Sequence, residues 1–201
     1  MLYYLIYLDT DEDPAFCFLD APPEGLGIKS YKLGHGKEVG ADYPADARIY
    51  MADRYKGIQV PDLVGNTCGM LVTSKRVKDA FARVNRGPVE YLPVAIYNHK
   101  KRVASPDHFI LNPLGTVDCL NQEASDIVYN QDKVVRVRNF VLDPAKLQDA
   151  PDLFRVREDS YAYVMSDRVL QELKGIQPRV TNFVFEELDQ VPSKASGARS
   201  S

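Results

Sequence analysis

Apolar positions along this chain alternate between two spacings, and the changes of spacing mark out its elements. The opening LYYLIYL is an unbroken aromatic and branched run, the pattern of a buried strand. After the acidic turn DTDEDP, a second short strand is expected around FCFLD. From Ala21 to Asp62 the periodicity fades among Gly, Pro, Asp and Tyr, which predicts loop with short strands near YKL and ARIYM. A helical spacing then takes over. Val77, Ala80, Phe81 and Val84 fall on one stripe, which predicts a helix over Lys75–Arg86, capped by Ser74 and closed by Gly87 and Pro88.

Strand patterns return at Val89–Tyr97, Phe109–Leu111, Val134–Leu142, Leu153–Arg157 and Tyr161–Met165. Pro93 cannot donate to a ladder, so its strand should lie at an edge or carry a bulge there. LDPAKL suggests a turn leading into a helical turn. A second helix is expected over Asp167–Lys174, with Ser166 before it, Gly175 after it and Val169, Leu170 and Leu173 as its stripe. Val180–Phe185 reads as a last strand before a polar tail with no core-forming pattern.

The fold class that follows is α+β, with a mixed or mainly antiparallel sheet, two short capped helices and a long loop-rich N-terminal segment. Three stretches are expected: a strand and loop segment over 1–62, the α+β core over 63–191, and a flexible tail over 192–201. LVTSKRVKDAF and YVMSDRVLQEL echo one another, with Ser74, Arg76 and Val77 recurring as Ser166, Arg168 and Val169. The echo suggests a pseudo-repeat whose two helices lie on one sheet.

Composition narrows the classes of function. The net charge of −3 is unevenly spread, with 10 acids against 6 bases in residues 1–60, 3 against 8 in 61–106, and 15 against 11 in 107–201. An acidic whole argues against general nucleic-acid binding yet permits a local basic patch. No apolar run reaches the roughly 18 residues of a membrane span. LYYLIYL also lacks the basic flank and cleavage site of a signal peptide, which points to the cytoplasm. Cys17, Cys68 and Cys119 are odd in number and without a CxxC, as expected of free thiols in a reducing compartment.

No catalytic or metal motif emerges. Asp9–Asp20 places carboxylates at calcium-loop positions, but Pro14 stands where the loop requires glycine. GLGIKSYKLGHGKEVG lacks the spacing of a phosphate-binding loop. Cys119 with His108 is the one conceivable nucleophile and base, and structural roles are favoured for both. Arg136, Arg138, Arg155 and Arg157 alternate along two strands, and Tyr161 and Tyr163 along a third. Were these strands neighbours, they would form a face able to grip phosphates and stack bases. Acidic clusters suggest a basic protein partner instead. Asp9, Asp11, Glu12 and Asp13 form one. Asp42, Asp46 and Asp53 interleave with Tyr43, Tyr50 and Tyr55, and Glu186, Glu187 and Asp189 form the last. Tyrosines anchor interfaces and opposite charge speeds encounter.

The ordered phrases GMLVTSKRVKDAF, VEYLPVAIYNH, HFILNPLGTVDCLN, VLDPAKL, LFRV and VMSDRVLQEL, spanning about residues 62–175, resemble immunity protein family eleven. The most specific pieces are LPV after a capped helix, the Asn112 to Asp118 spacing, and LDP at 142–144. The resemblance implies a cytoplasmic protein that neutralises a cognate toxin of a bacterial polymorphic toxin system, often one delivered by contact-dependent or type VI secretion. It implies no enzymatic activity, no cofactor and no metal. The toxin-binding candidates are then Asp42, Tyr43, Asp46, Tyr50, Asp53, Tyr55, Glu186, Glu187 and Asp189; the alternative is a nucleic-acid module using the Arg/Tyr face.

Overall fold

The computed structural model describes residues 1–10 and 13–193; Asp11, Glu12 and the tail from Lys194 onward lie outside the described residues. Twelve strands are described: β1 (Tyr3–Ile6), β2 (Phe18–Leu19), β3 (Arg48–Tyr50), β4 (Leu63–Asn66), β5 (Leu71–Ser74), β6 (Val89–Tyr97), β7 (Val103–Pro113), β8 (Asp126–Asn130), β9 (Lys133–Asn139), β10 (Leu153–Arg155), β11 (Tyr163–Ser166) and β12 (Phe185–Glu187). Three α-helices accompany them: α1 (Tyr31–Gly34), α2 (Lys75–Val84) and α3 (Asp167–Lys174). One sheet runs β2-β4-β5-β7-β6-β3, a second runs β10-β11-β1-β12, and β8 pairs only with β9. The expected α+β class, with mixed and antiparallel pairing, is what forms.

The echo in the sequence proves to be longer than SxRV, and it organises the fold. Pro61-Asp62-Leu63 recurs as Pro151-Asp152-Leu153, ahead of β4 and β10 respectively. Each strand turns back on an antiparallel partner, β5 or β11, which leads straight into α2 or α3. The ladders continue alike, as β4-β5-β7-β6 in one half and β10-β11-β1-β12 in the other, antiparallel at every step. Registers match as well: Ser74 faces His108 and Leu71 faces Leu111, while Ser166 faces Tyr3 and Tyr163 faces Ile6. The second half therefore borrows its last strand from the start of the chain. Strand β1 occupies the place that β7 holds in the first half. The two helices lie on different sheets, not on one, and pack on each other across a shared core that includes Val77, Phe81, Val169, Leu173, Tyr4 and Ile6.

Two aspartates brace the halves reciprocally. Ser74 and Ser166 stand at the helix N-cap positions, yet neither side chain bonds its own helix. Ser74 Oγ donates to Asp62 at 2.6 Å and Ser166 Oγ to Asp152 at 2.8 Å, across the hairpins. Each carboxylate also receives the chain leaving the other helix. Arg86 Nε, just after α2, donates to Asp152 at 2.8 Å, and the Thr181 amide, after α3, donates to Asp62 at 2.9 Å. Arg76 Nε adds a bond of 2.7 Å to Asp62. Burial pushes the Asp62 carboxyl upward, but Arg76, Ser74 and Thr181 outweigh it and hold it at about 2, against an ordinary 3.8. Because the folded value is the lower one, this stabilisation is complete above the ordinary value and is lost as pH falls towards the folded one. Asp62→Asn should therefore lower the urea midpoint near neutrality and shrink the loss of stability between pH 3.8 and about 2. An acid limb identical to wild type would contradict it.

Several local expectations are revised. YKL at 31–33 is helical, the start of α1, not a strand. The segment 180–184 is turn rather than strand, because Asp62 holds Thr181 and Asn182, at a φ of 56°, donates to the Leu63 carbonyl; the strand begins only at Phe185. Pro93 behaves as expected. Strand β3 pairs with β6 only at Ala95–Tyr97, the register shifts beyond Val94, and the Pro93 carbonyl points outward to Tyr43 Oη at 2.9 Å.

Residues before 63 are built into both sheets and all three cores, so packing crosses the 62/63 boundary throughout. The loop-rich stretch around α1 is latched to the rest by polar side chains. Glu90 accepts from the Val39 and Gly40 amides at 2.9 and 2.8 Å, and Asn112 donates to the Lys37 carbonyl at 3.0 Å. Arg155 is fully buried and all its bonded partners are neutral. Its guanidinium donates to the carbonyls of Leu33, Gly34, Pro113 and Ser160, to Asn112 Oδ1 and to Tyr163 Oη.

Candidate docking surface

The sequence-predicted docking residues fall on two edge strands of different sheets. Those of the 42–55 cluster surround β3, the last strand of the six-stranded sheet, and Glu186, Glu187 and Asp189 lie on or just after β12, the last strand of the four-stranded sheet. The structure does not bring the two groups together into one ladder.

At the β3 edge some of the cluster is engaged internally. Asp42 is bonded by Lys29 at 2.6 Å and Lys32 at 2.9 Å, and these two ammonium groups hold its carboxyl down at about 2. The Tyr43 hydroxyl is tied to Pro93, and burial raises its pKa. Tyr55 stacks on Phe18 with centroids 4.3 Å apart and takes Arg54 on its ring at 5.0 Å. What remains presentable is Asp46, paired with Arg48 at 2.6 Å, Tyr50 against Tyr97 at 5.4 Å, and Asp53. The Asp53 side chain is 95% exposed and 3.5 Å from His99 Nδ1. At the β12 edge, Glu186 accepts the Tyr7 hydroxyl, which with burial raises that phenol to about 12, and Glu187 and Asp189 are exposed.

The proposed Arg/Tyr nucleic-acid face does not exist. Arg155 and Tyr163 are both fully buried, bonded to each other and to backbone carbonyls. Arg157 is paired with Asp118 at 2.8 Å. Arg136 and Arg138 lie on β9, which pairs only with β8. Of the two tyrosines proposed for that face only Tyr161 is exposed, its ring lying over two glycines; a Cβ on Gly69, where φ is +67°, would stand 2.0 Å from it. Alternation along a strand predicts one surface, whereas Arg155 points inward to acceptors far away in sequence, such as the Leu33 and Gly34 carbonyls.

The Cys119 and His108 pairing also fails. Cys119 is fully buried in the third core, where burial drives the thiol up to about 12. His108 is held by Ser105 Oγ at 2.9 Å and the Pro61 carbonyl at 3.1 Å, and burial lowers its pKa. Cys17 is likewise buried and raised to about 12, whereas Cys68 is half-buried. A thiol reagent at pH 8 should therefore titrate Cys68 first, and Cys17 and Cys119 only in denaturant. Rapid labelling of Cys119 in the native protein would contradict this.

The profile of the immunity protein family Imm11 matches residues 14–190. The chain belongs to the Imm11 immunity protein family. The match covers both edge strands and reaches well into the loop-rich segment, beyond the 62–175 stretch that carried the resemblance. Among curated proteins, none matches this sequence. Among the described residues no helix is long and apolar enough to cross a membrane. The ordered phrases that carry the Imm11 resemblance encode hairpins, helices and braces, and the family implies a toxin partner in general.

Proposed function

We propose that this protein protects its producer by binding a cognate toxin one to one in the cytoplasm and covering the toxin's active surface. The observation that carries the reading is the Imm11 match across residues 14–190, nearly the whole described chain. Binding needs no cofactor, and inhibition by occlusion needs no chemistry from the immunity protein. We infer that the toxin, of a kind often delivered by a type VI apparatus, is a nuclease. Its cationic substrate groove would meet the exposed carboxylates of the β3 and β12 edges: Asp46 and Asp53 beside Tyr50, and Glu186, Glu187 and Asp189. Opposite charge speeds such encounters, and the tyrosine supplies an anchor of large area and low entropy cost.

Co-expression tests the reading. Cells expressing the neighbouring toxin should survive when this protein is present and die when it is absent. Equal killing in both cases would remove the immunity role.

A further inference from the structure

At one matched position the two halves of the fold differ in charge, and a cavity lies beside it in the second half. Aligning Ser74 with Ser166 sets Lys78 of α2 against Leu170 of α3 and Phe81 against Leu173. The matched ladders set Phe109 against Tyr4 and Tyr91 against Phe185. In the first half this aromatic pair is covered from within: the Lys78 ammonium lies 4.9 Å from the Phe109 centroid and 6.0 Å from that of Tyr91. In the second half Leu170 stands in place of that cation, and Tyr4 and Phe185 meet edge to face at 5.7 Å. A cavity of about 300 Å³ opens there, walled by Leu170, Leu173, Val180, Phe183 and Phe185.

The rim has a definite sign. Lys174 and Arg179 border the cavity, no acidic residue does, and neither cation has a carboxylate partner among the described residues. The volume is at the small end of ligand pockets, roughly 300–1,000 Å³, and suits one large side chain more than an extended ligand. Apolar walls beside unpaired cations call for an apolar group carried next to an anion. The chain's own last residues, KASGARSS, offer no large apolar side chain and add two more cations, so they are the wrong occupant. The cavity's wall residue Phe185 belongs to β12, so the cavity adjoins the Glu186 and Glu187 edge.

We infer that this cavity is the anchor socket of the toxin interface, receiving a Leu- or Phe-sized toxin side chain whose neighbouring carboxylate meets Lys174 and Arg179. The inference rests on the immunity reading above and adds the chemistry of the segment bound. A buried anchor of this kind concentrates binding energy in a few residues and is sensitive to filling of its pocket.

The test is calorimetric titration of the catalytically inactivated toxin encoded beside this gene, against wild type, the double variant Lys174→Glu/Arg179→Glu, and Val180→Trp. Both altered cations are exposed, so the double variant should keep the wild-type unfolding midpoint while its Kd rises 100-fold or more. Val180→Trp, which fills the socket, should raise Kd at least tenfold. Wild-type affinity in the folded double variant would overturn the socket and leave the immunity reading standing. Absence of any binding by the wild type would remove both.

Discussion

Deleting residues 1–8 is expected to abolish cooperative folding, although these residues precede almost every other element. Strand β1 pairs with β11 on one side and β12 on the other, so its loss takes from β12 its ladder partner and leaves β11 paired with β10 alone. Tyr4, Ile6 and Leu8 belong to the first core, and Tyr3 and Leu5 to the third. Burying five such side chains stabilises the fold by about 10 kcal/mol at 1.5–3 kcal/mol each. That is comparable with the whole stability of a typical domain, roughly 5–15 kcal/mol. Urea denaturation followed by circular dichroism should show no sigmoidal transition in the truncated protein. The repeat also predicts a rescue. Glu187 faces Tyr4 and Leu188 donates to the Tyr3 carbonyl, so the end of β12 lies beside the start of β1. Moving residues 1–8 behind β12 through a loop of about 2–5 residues recreates the β6–β7 hairpin of the first half. This permutant should unfold cooperatively near the wild-type midpoint. A truncated protein that keeps a full transition would contradict the matched-halves account.

Arg155→Met should cost about 3–5 kcal/mol, in the range seen when one member of a buried charged network is removed. Methionine fills much of the space, so packing alone does not set the cost. The loss comes from acceptors at Leu33, Gly34, Pro113, Ser160 and Asn112 left dry and unbonded. Arg155→Lys should recover little of it. An ammonium offers three donors from one point, whereas the guanidinium serves separate loops through a planar fork. Denaturant midpoints of the two variants check this, and hydrogen exchange should quicken first around α1, which Arg155 ties down. A methionine variant of wild-type stability would show that the network contributes nothing net.

What the sequence disclosed and what it hid follow from distance along the chain. The stripes of α2 and α3 are local, and so is the proline at which the pairing of β3 with β6 does not continue; all three were legible. The helix over Tyr31–Gly34 was not, since four residues carry no period. The pairing of β1 with β12 joins residues about 180 apart, and nothing in LYYLIYL specifies its partners. The repeated Pro-Asp-Leu was visible and marks the second half as surely as SxRV does; its use as a brace was not, because each aspartate is completed by the chain that follows the opposite helix. Arg155 sits two residues from Arg157 in a strand that looks exposed on one face, and only carbonyls contributed by Leu33, Gly34 and Pro113 allow it inside. Among the docking candidates, Asp42 lies 10 and 13 residues from the lysines that occupy it, whereas Asp53 and Glu187 stay at the surface.

Immunity by occlusion makes a quantitative demand on stoichiometry. Titrating a fixed, micromolar amount of active toxin with this protein should lower toxin activity linearly to zero at one equivalent. Complete inhibition far below one equivalent, with turnover of the toxin, would instead show an enzyme at work and contradict the account.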